Sequence, residues 1–412
     1  MNNWLLFILT VIGLSFLLEI LVSALNLKAL SPKLPAEFED VYDQQRYRES
    51  QQYTRETTRF SLVQSSFTTL ITLVFLLAGG FNLVDIYARS FGFGEIITGL
   101  IFTGLLLLLT LIAGLPFSLY STFVIEEKFG FNRTTPMTFI LDALKAMALT
   151  VIIGGPLLAL VLWFFNSTGS LAWIYCWIGV FLITLILQFL APVIIMPLFN
   201  KFTPLEDGDL KEAIHKYISK ENFTIKGVFV MDGSKRSSKL NAFFTGFGKF
   251  KKIVFFDTLL EKLPPAQIIG VLAHEMGHYK HKHLIKMMIA SFIQTGILFY
   301  FLSLIMNNEN LFAAFSMTHV STYASLVFFG FLFTPVSLLL SILFNSISRK
   351  HEYEADKYAA LSTKSRQDLI DGLKTLSKTN LSNLTPHRLN VILHYSHPPV
   401  LERIRALRTI NL

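Results

Sequence analysis

The sequence predicts a mainly α-helical membrane protein, with seven transmembrane helices and a small α+β domain outside the bilayer. Three observations predict it. Apolar residues make up 52% of 412, phenylalanine alone contributes 39, and mean hydropathy is +0.51, a composition outside the range of ordinary soluble domains. Apolar stretches long enough to cross a bilayer recur along the chain. Two polar segments, 200–284 and 349–412, interrupt them and carry most of the residues suited to chemistry.

Spans are predicted at residues 4–26, 62–84, 96–125, 139–165, 171–197, 285–306 and 321–347. The first is an anchor and not a signal peptide, because "MNNW" has no positive n-region and the apolar run is too long. Lys28, Lys33, Arg46, Arg48, Arg55 and Arg59 follow the first span, Lys128 and Arg133 the third, a lysine-rich segment the fifth, and Arg349 and Lys350 the seventh. Two spans separate each of these segments from the next, so all four share one side. The opposite loops carry little more than Arg89. The positive-inside rule makes the charged side cytoplasmic and puts the N-terminus outside. Glu19, Asp142 and Lys145 are the few charges near the spans and read as paired or interfacial residues, too sparse for an ion pathway. The implied organisation is 1–199, five spans with a charged cytoplasmic loop 27–60; 200–284, the first part of an extramembrane domain; 285–348, spans six and seven; and 349–412, its second part.

A net charge of +8 is accounted for by these cytoplasmic segments, so the bilayer and not nucleic acid is the expected partner. Cys176 is the only cysteine, which excludes an intramolecular disulfide and any cysteine-based metal cluster. A metal here must use histidine and carboxylate ligands.

In the first polar segment "KGVFVMD" and "KKIVFFDTLL" read as short strands flanking "NAFFTGFGKF", whose glycines suggest a turn or bulge. A helix then runs from Ala266 to about Lys280, after two prolines tolerated at a helix start. It carries "VLAHEMGHYKHKH" at 271–283, with His274, Glu275 and His278 in the H-E-x-x-H arrangement. Residues at i and i+4 share a helix face, so both imidazoles can reach one zinc ion, with the glutamate beside it as a general base.

Two histidines leave a catalytic zinc site one ligand short. "SRKHEYEADKYAA" at 348–360 offers Glu352, Glu354 and Asp356 on an apparent helix. E-x-x-A-D fits Glu352 as ligand and Asp356 as the acceptor that orients a ligand imidazole, and the small Ala355 would let this helix approach the one bearing His274. A metzincin-type third histidine is absent, since position 281 is His and 284 is Leu. These residue types support hydrolysis of a peptide bond, with water deprotonated by Glu275. The tail "HYSHPPVLERI" offers His394, His397 and Arg403 as oxyanion donors.

H-E-M-G-H, the distal E-Y-E-A-D, "SKRSSKLNAFF" and "HYSHPPVLERIRAL", in this order on seven spans, resemble the type I CAAX prenyl endopeptidases, integral-membrane zinc metalloproteases. The likeness covers nearly the whole chain, including "EEKFGFNRTT" before the fourth span. It implies one zinc ion on His274, His278 and Glu352, Glu275 as base, Asp356 behind a ligand, and His397 and Arg403 near the metal for substrate positioning or transition-state stabilisation. Asn241 would lie on an edge strand that pairs with an extended substrate. The resemblance further implies seven helices forming a large barrel around an intramembrane chamber, closed by the zinc-protease domain on the cytoplasmic side. The expected substrate is a peptide or protein, with a prenylated CAAX segment as reference, in an endoplasmic reticulum or bacterial inner membrane. Quality control of damaged membrane proteins is the alternative role, and the sequence carries no signal for oligomeric state.

Overall fold

The computed structural model describes residues 2–246 and 251–412. Among them seven helices are long and apolar enough to cross a membrane: Asn3–Lys28, Gln44–Leu77, Glu95–Glu126, Pro136–Ser167, Gly169–Phe199, His283–Ile305 and Thr322–Thr363. The expected spans fall on these helices to within one residue, except at one end. The second span stops at Leu77, because "AGG" places Gly79 in the left-handed region (φ +71°) and a separate helix, Gly80–Arg89, begins there. The charged segment 27–60 is not a loop throughout. Its second half is helical and continuous with the second span, capped by the Asp43 carboxylate, which accepts from the backbone N–H of Arg46.

The spans do not pack as a solid bundle. At most 17% of the most apolar window of any one of them is buried, and cavities of about 760 and 570 Å³ lie between them. Thr334 and Leu338 of the seventh span line both. The larger is walled by Leu157, Val161, Leu298, Phe329 and other apolar residues. The smaller has a polar lining that includes Glu19, Asn26, Asn390 and His394. Away from the polar domain the helices converge on an aromatic plug, in which Phe81, Phe102, Phe312, Phe315, Tyr323 and Phe328 are buried together and Phe315 stacks on Phe328 at 3.7 Å.

Outside the spans a four-stranded sheet has the order β1-β2-β4-β3: Phe202–Pro204, Gly227–Met231, Ala242–Thr245 and Lys252–Phe256 numbered β1 to β4 along the chain. β2 and β4 are parallel, pairing Gly227 with Lys252, while β3 runs antiparallel to β4, with Ala242 opposite Phe255. The expected strands are β2 and β4. The segment read as a turn instead contributes β3, a strand of four residues, before Gly246 (φ +86°) turns the chain; residues 247–250 lie outside the described residues. β1 carries no alternating pattern long enough to be read.

The domain core draws on distant parts of the chain. Phe38, Tyr42 and Tyr47, from the segment after the first span, are buried with Phe255, Leu272, Met276, Ala359, Ile370, Ile404 and Leu407. Lys374 is almost wholly buried and binds Asp40 (3.0 Å) and Glu37 (3.1 Å), and Arg408 also pairs with Glu37. Two ion pairs tie the sheet to the spans. The Arg236 guanidinium donates to both Asp142 oxygens at 2.7 and 2.9 Å, and Lys239 reaches Glu126 at 2.7 Å. Asp142 is thus paired and not a relay, as its sparse surroundings suggested, and Lys145 donates to the Leu198 carbonyl at 2.7 Å.

Candidate metal centre and active-site cleft

The H-E-x-x-H residues lie on the helix Pro265–Lys280, which Pro264 precedes and Pro265 begins. Facing it is Thr322–Thr363, which runs unbroken from the seventh span through positions 348 and 349 to Glu352 and Asp356. The two helices touch where side chains vanish. A Cβ on Gly277 would stand 2.8 Å from Ala355 Cα and 3.0 Å from its carbonyl oxygen. Gly277 and Ala355 therefore set the approach that lets one carboxylate meet two imidazoles.

That meeting is close. His274 Nε2 and His278 Nε2 are 3.1 Å apart, and Glu352 lies 3.5 Å from the first and 3.2 Å from the second. Glu352 Oε2 is buried and accepts no hydrogen bond from any protein group. An orphaned carboxylate oxygen is costly in such a place, and lone pairs converging from two rings and a carboxylate are the donor set of a divalent metal. The three residues fit a metal.

The far side of His274 is fixed as well. Its Nδ1 lies 2.8 Å from Asp356 Oδ1, so the proton sits on Nδ1 and Nε2 is left as a lone pair for the metal. Arg403, from the C-terminal helix Val400–Arg408, grips Asp356 through Nε (2.8 Å) and Nη2 (2.6 Å) and comes within 3.3 Å of Glu352 Oε2. Nη2 is also 3.3 Å from His274 Nδ1, but two donors face each other there, so that contact supplies charge and no bond. Burial pushes the Arg403 guanidinium down, yet Asp356 and Glu352 outweigh it and keep it protonated. Burial and Arg403 lower His274, but the hydrogen bonds to Asp356 and Glu352 prevail and push it up to about 9; without a metal Nε2 therefore carries a second proton, which a metal must displace while the one on Nδ1 stays with Asp356. Burial raises the Glu275 carboxyl above its usual range, with the neighbouring imidazoles opposing.

These groups border a cleft of about 120 Å³ whose lining includes Asn241, His274, Glu275, Glu352, His397 and Arg403. His397 points into it with 64% of its side chain exposed and Nε2 3.3 Å from Glu352 Oε1. Partial desolvation at the cleft lowers its pKa, with Glu352 opposing, and its Nδ1 meets Ser396 Oγ at 2.9 Å. Asn241 immediately precedes β3, the strand at the sheet's edge, and its carbonyl accepts from Phe256 N–H at 3.1 Å. Of the residues expected at the site, Asn241, His274, Glu275, Glu352, His397 and Arg403 line this cleft, while His278 adjoins it through His274 and Glu352 and Asp356 stands behind His274. His394 is elsewhere, in the polar cavity between the spans. Glu354 faces the other way, toward His283 at 3.0 Å. His283 itself, 3.0 Å from His278, was not singled out from the sequence; the density of histidine over 274–283 is the signal that marks it.

A membrane-spanning chain whose extramembrane domain gathers two histidines and a carboxylate around one point defines a class, the membrane-embedded metallohydrolases. Comparison with known proteins narrows it. Residues 23–201 match the family described as CAAX prenyl protease N-terminal, five membrane helices, and residues 204–411 match peptidase family M48. The chain is 36% identical to a CAAX prenyl protease 1 homolog of Arabidopsis thaliana, covering 97% of both chains, and 35% identical to CAAX prenyl protease 1 of Saccharomyces cerevisiae, covering 93% of this chain and 90% of that one. It superposes on the crystal structure of S. mikatae Ste24p with a TM-score of 0.94 at 35% identity, over 99% of each chain. The chain belongs to peptidase family M48 and is a multi-pass membrane metalloprotease.

Proposed function

We infer that the protein is a zinc endopeptidase that cleaves extended, membrane-tethered polypeptides laid along β3, with a prenylated C-terminal CAAX segment as reference substrate. The observation that carries this reading is the common cleft, in which Asn241, at the start of the outermost strand β3, lies beside Glu275, His274 and Glu352. Zinc is favoured by ligand spacing. Ligands about 2.0–2.1 Å from a tetrahedral ion stand about 3.3–3.4 Å apart; here the two imidazole Nε2 atoms are 3.1 Å apart, with Glu352 Oε2 3.5 Å from that of His274 and Glu352 Oε1 3.2 Å from that of His278. When bound, zinc would supply Lewis acidity, polarising the scissile carbonyl and acidifying water toward a pKa of roughly 7.

The chain's own residues do the rest. Glu275 takes the proton of the attacking water and returns it to the leaving amine, a role to which a carboxyl raised by burial is suited. His397, neutral and with Nδ1 occupied by the Ser396 hydroxyl, donates from Nε2 to the developing oxyanion. Arg403 acts from behind, holding Asp356 and balancing the buried carboxylates. Backbone groups at Asn241 and along β3 pair with the substrate strand. Segments 200–284 and 349–412 form one catalytic unit on this reading. The apolar cavity between the spans offers room for a lipid chain, and the clustered Lys/Arg segments support a cytoplasmic face for the site. The relatives' name, CAAX prenyl protease 1, supports the substrate class, and a eukaryotic relative in that role favours the endoplasmic reticulum membrane.

The test is cleavage of a farnesylated CAAX peptide and its unmodified twin by the purified protein. Much faster cleavage of the farnesylated peptide, lost in Glu275→Gln, is expected. Equal rates would keep the zinc mechanism and move the role to general proteolysis of membrane proteins.

A further inference from the structure

His274 has an evident support in Asp356 and Arg403, and the second imidazole needs one too. His278 Nδ1 lies 3.0 Å from His283 Nδ1, and His283 Nε2 lies 3.0 Å from Glu354 Oε2. The proton positions follow from the chain's end. An ionised carboxylate can only accept, so His283 Nε2 carries a proton and His283 Nδ1 is an acceptor. His278 Nδ1 must then be the donor, which leaves the His278 Nε2 lone pair free toward Glu352 and His274. With both rings neutral, each bond in the series has one donor and one acceptor, and one arrangement of protons satisfies all of them.

The surroundings hold His283 in this orientation. Its side chain is 4% exposed and its ring stacks on His351 at 4.0 Å and 10°. The helix Pro265–Lys280 ends just before it. Lys282 adopts a left-handed conformation (φ 55°), a strained backbone for a residue with a side chain, and this tight link lets a histidine from the next helix turn back onto His278.

We propose that His283 and Glu354 form a positioning relay that fixes the His278 ring and its tautomer for the metal. The proposal rests on the reading of His274, His278 and Glu352 as zinc ligands. His281, His283 and Glu354 also form a group whose ligand atoms lie within 4.8 Å of one another, but a second cation is opposed there. Both His283 nitrogens are already engaged, and Lys286 and Lys350 Nζ lie 3.9 and 4.0 Å from Glu354. Those lysines instead favour the ionised carboxylate that the relay requires.

The test is zinc affinity of the full-length protein, measured by competition with a chelator, together with thermal unfolding of the zinc-free form. His283→Phe keeps the stacked ring and removes both nitrogens, and His283→Gln keeps a short acceptor. The relay predicts a 10- to 100-fold loss of zinc affinity in the first, a smaller loss in the second, and zinc-free melting temperatures like the parent's. Glu354→Gln, which leaves an acceptor without the charge, should fall between them. Unchanged affinity in His283→Phe would overturn the relay, as would equal losses in both variants or losses that track the melting temperature, since either marks a structural role. Two zinc ions per chain would reassign His283 to a second metal and overturn it too. A parent protein without stoichiometric zinc would remove the site reading and the relay together, whereas a zinc-loaded parent with an unaltered His283→Phe isolates failure of the relay.

Discussion

Burial raises the Glu275 carboxyl beside two imidazoles, and its replacement by glutamine changes one proton-accepting oxygen while leaving shape and metal contacts alone. Glu275→Gln should therefore retain one zinc per chain and lose about 10²–10⁴-fold in kcat, checked by metal analysis alongside single-turnover cleavage. Loss of zinc with activity would instead make Glu275 part of the metal site. Several of these residues were legible from spacing alone. His274 and His278 announce themselves because i and i+4 face one way, and Glu352 and Asp356 because a ligand and a buried acceptor one turn apart suit two faces of the metal group. The density of histidine flags His283 but not its direction, because its turn back onto His278 depends on a left-handed Lys282 that no periodicity encodes. Arg403 was legible as a cation near the site, but its engagement with Asp356 depends on a long-range fold.

Between elements, the approach of Pro265–Lys280 to Thr322–Thr363 is governed by one missing methyl group. Gly277→Ala would push that methyl into the Ala355 backbone, so the helices must part by some tenths of an ångström. The expected cost is about 1–3 kcal/mol of stability, with a fall in zinc affinity, since two of the proposed ligands sit on one helix and the third on the other; chelator competition and thermal unfolding check both. The sequence showed the small Ala355 and so the close pairing. It showed β3 only through the family resemblance that put Asn241 on an edge strand, because its four residues run straight into Gly246 and resemble a turn by composition. Short strands are fixed by their neighbours more than by their own residues.

Across the whole molecule, the segment after the first span is the unexpected part. Read as a charged loop, it proves to be a tether: Phe38, Tyr42 and Tyr47 enter the core of the extramembrane domain, and Glu37 clamps Arg408 and Lys374. The Arg408 hydrogen bond holds the Glu37 carboxyl below its usual range, with burial opposing and Lys374 helping. The sign follows. A depressed carboxylate stabilises the fold above its ordinary titration range, and that contribution disappears as pH falls through the depressed value. Glu37→Gln should thus cost about 1 kcal/mol near neutrality and flatten the loss of stability in acid, read from detergent-solubilised unfolding against pH. The seven spans themselves were legible because a bilayer demands long apolar helices. The hollow between them was legible only through the family resemblance and not in the composition, because a residue facing a cavity and one facing lipid can be equally apolar.

The unbroken helix from the seventh span to Glu352 makes the chain its own depth gauge. A helix rises about 1.5 Å per residue, so the Glu352 backbone stands roughly 7 Å beyond Ile347, the last apolar residue of the span, with no loop between to absorb a change. Helices accommodate a thicker or thinner bilayer by tilting or shifting, and here any such motion is delivered undamped to a carboxylate between two imidazoles. Bilayer thickness thereby becomes a variable of the metal site.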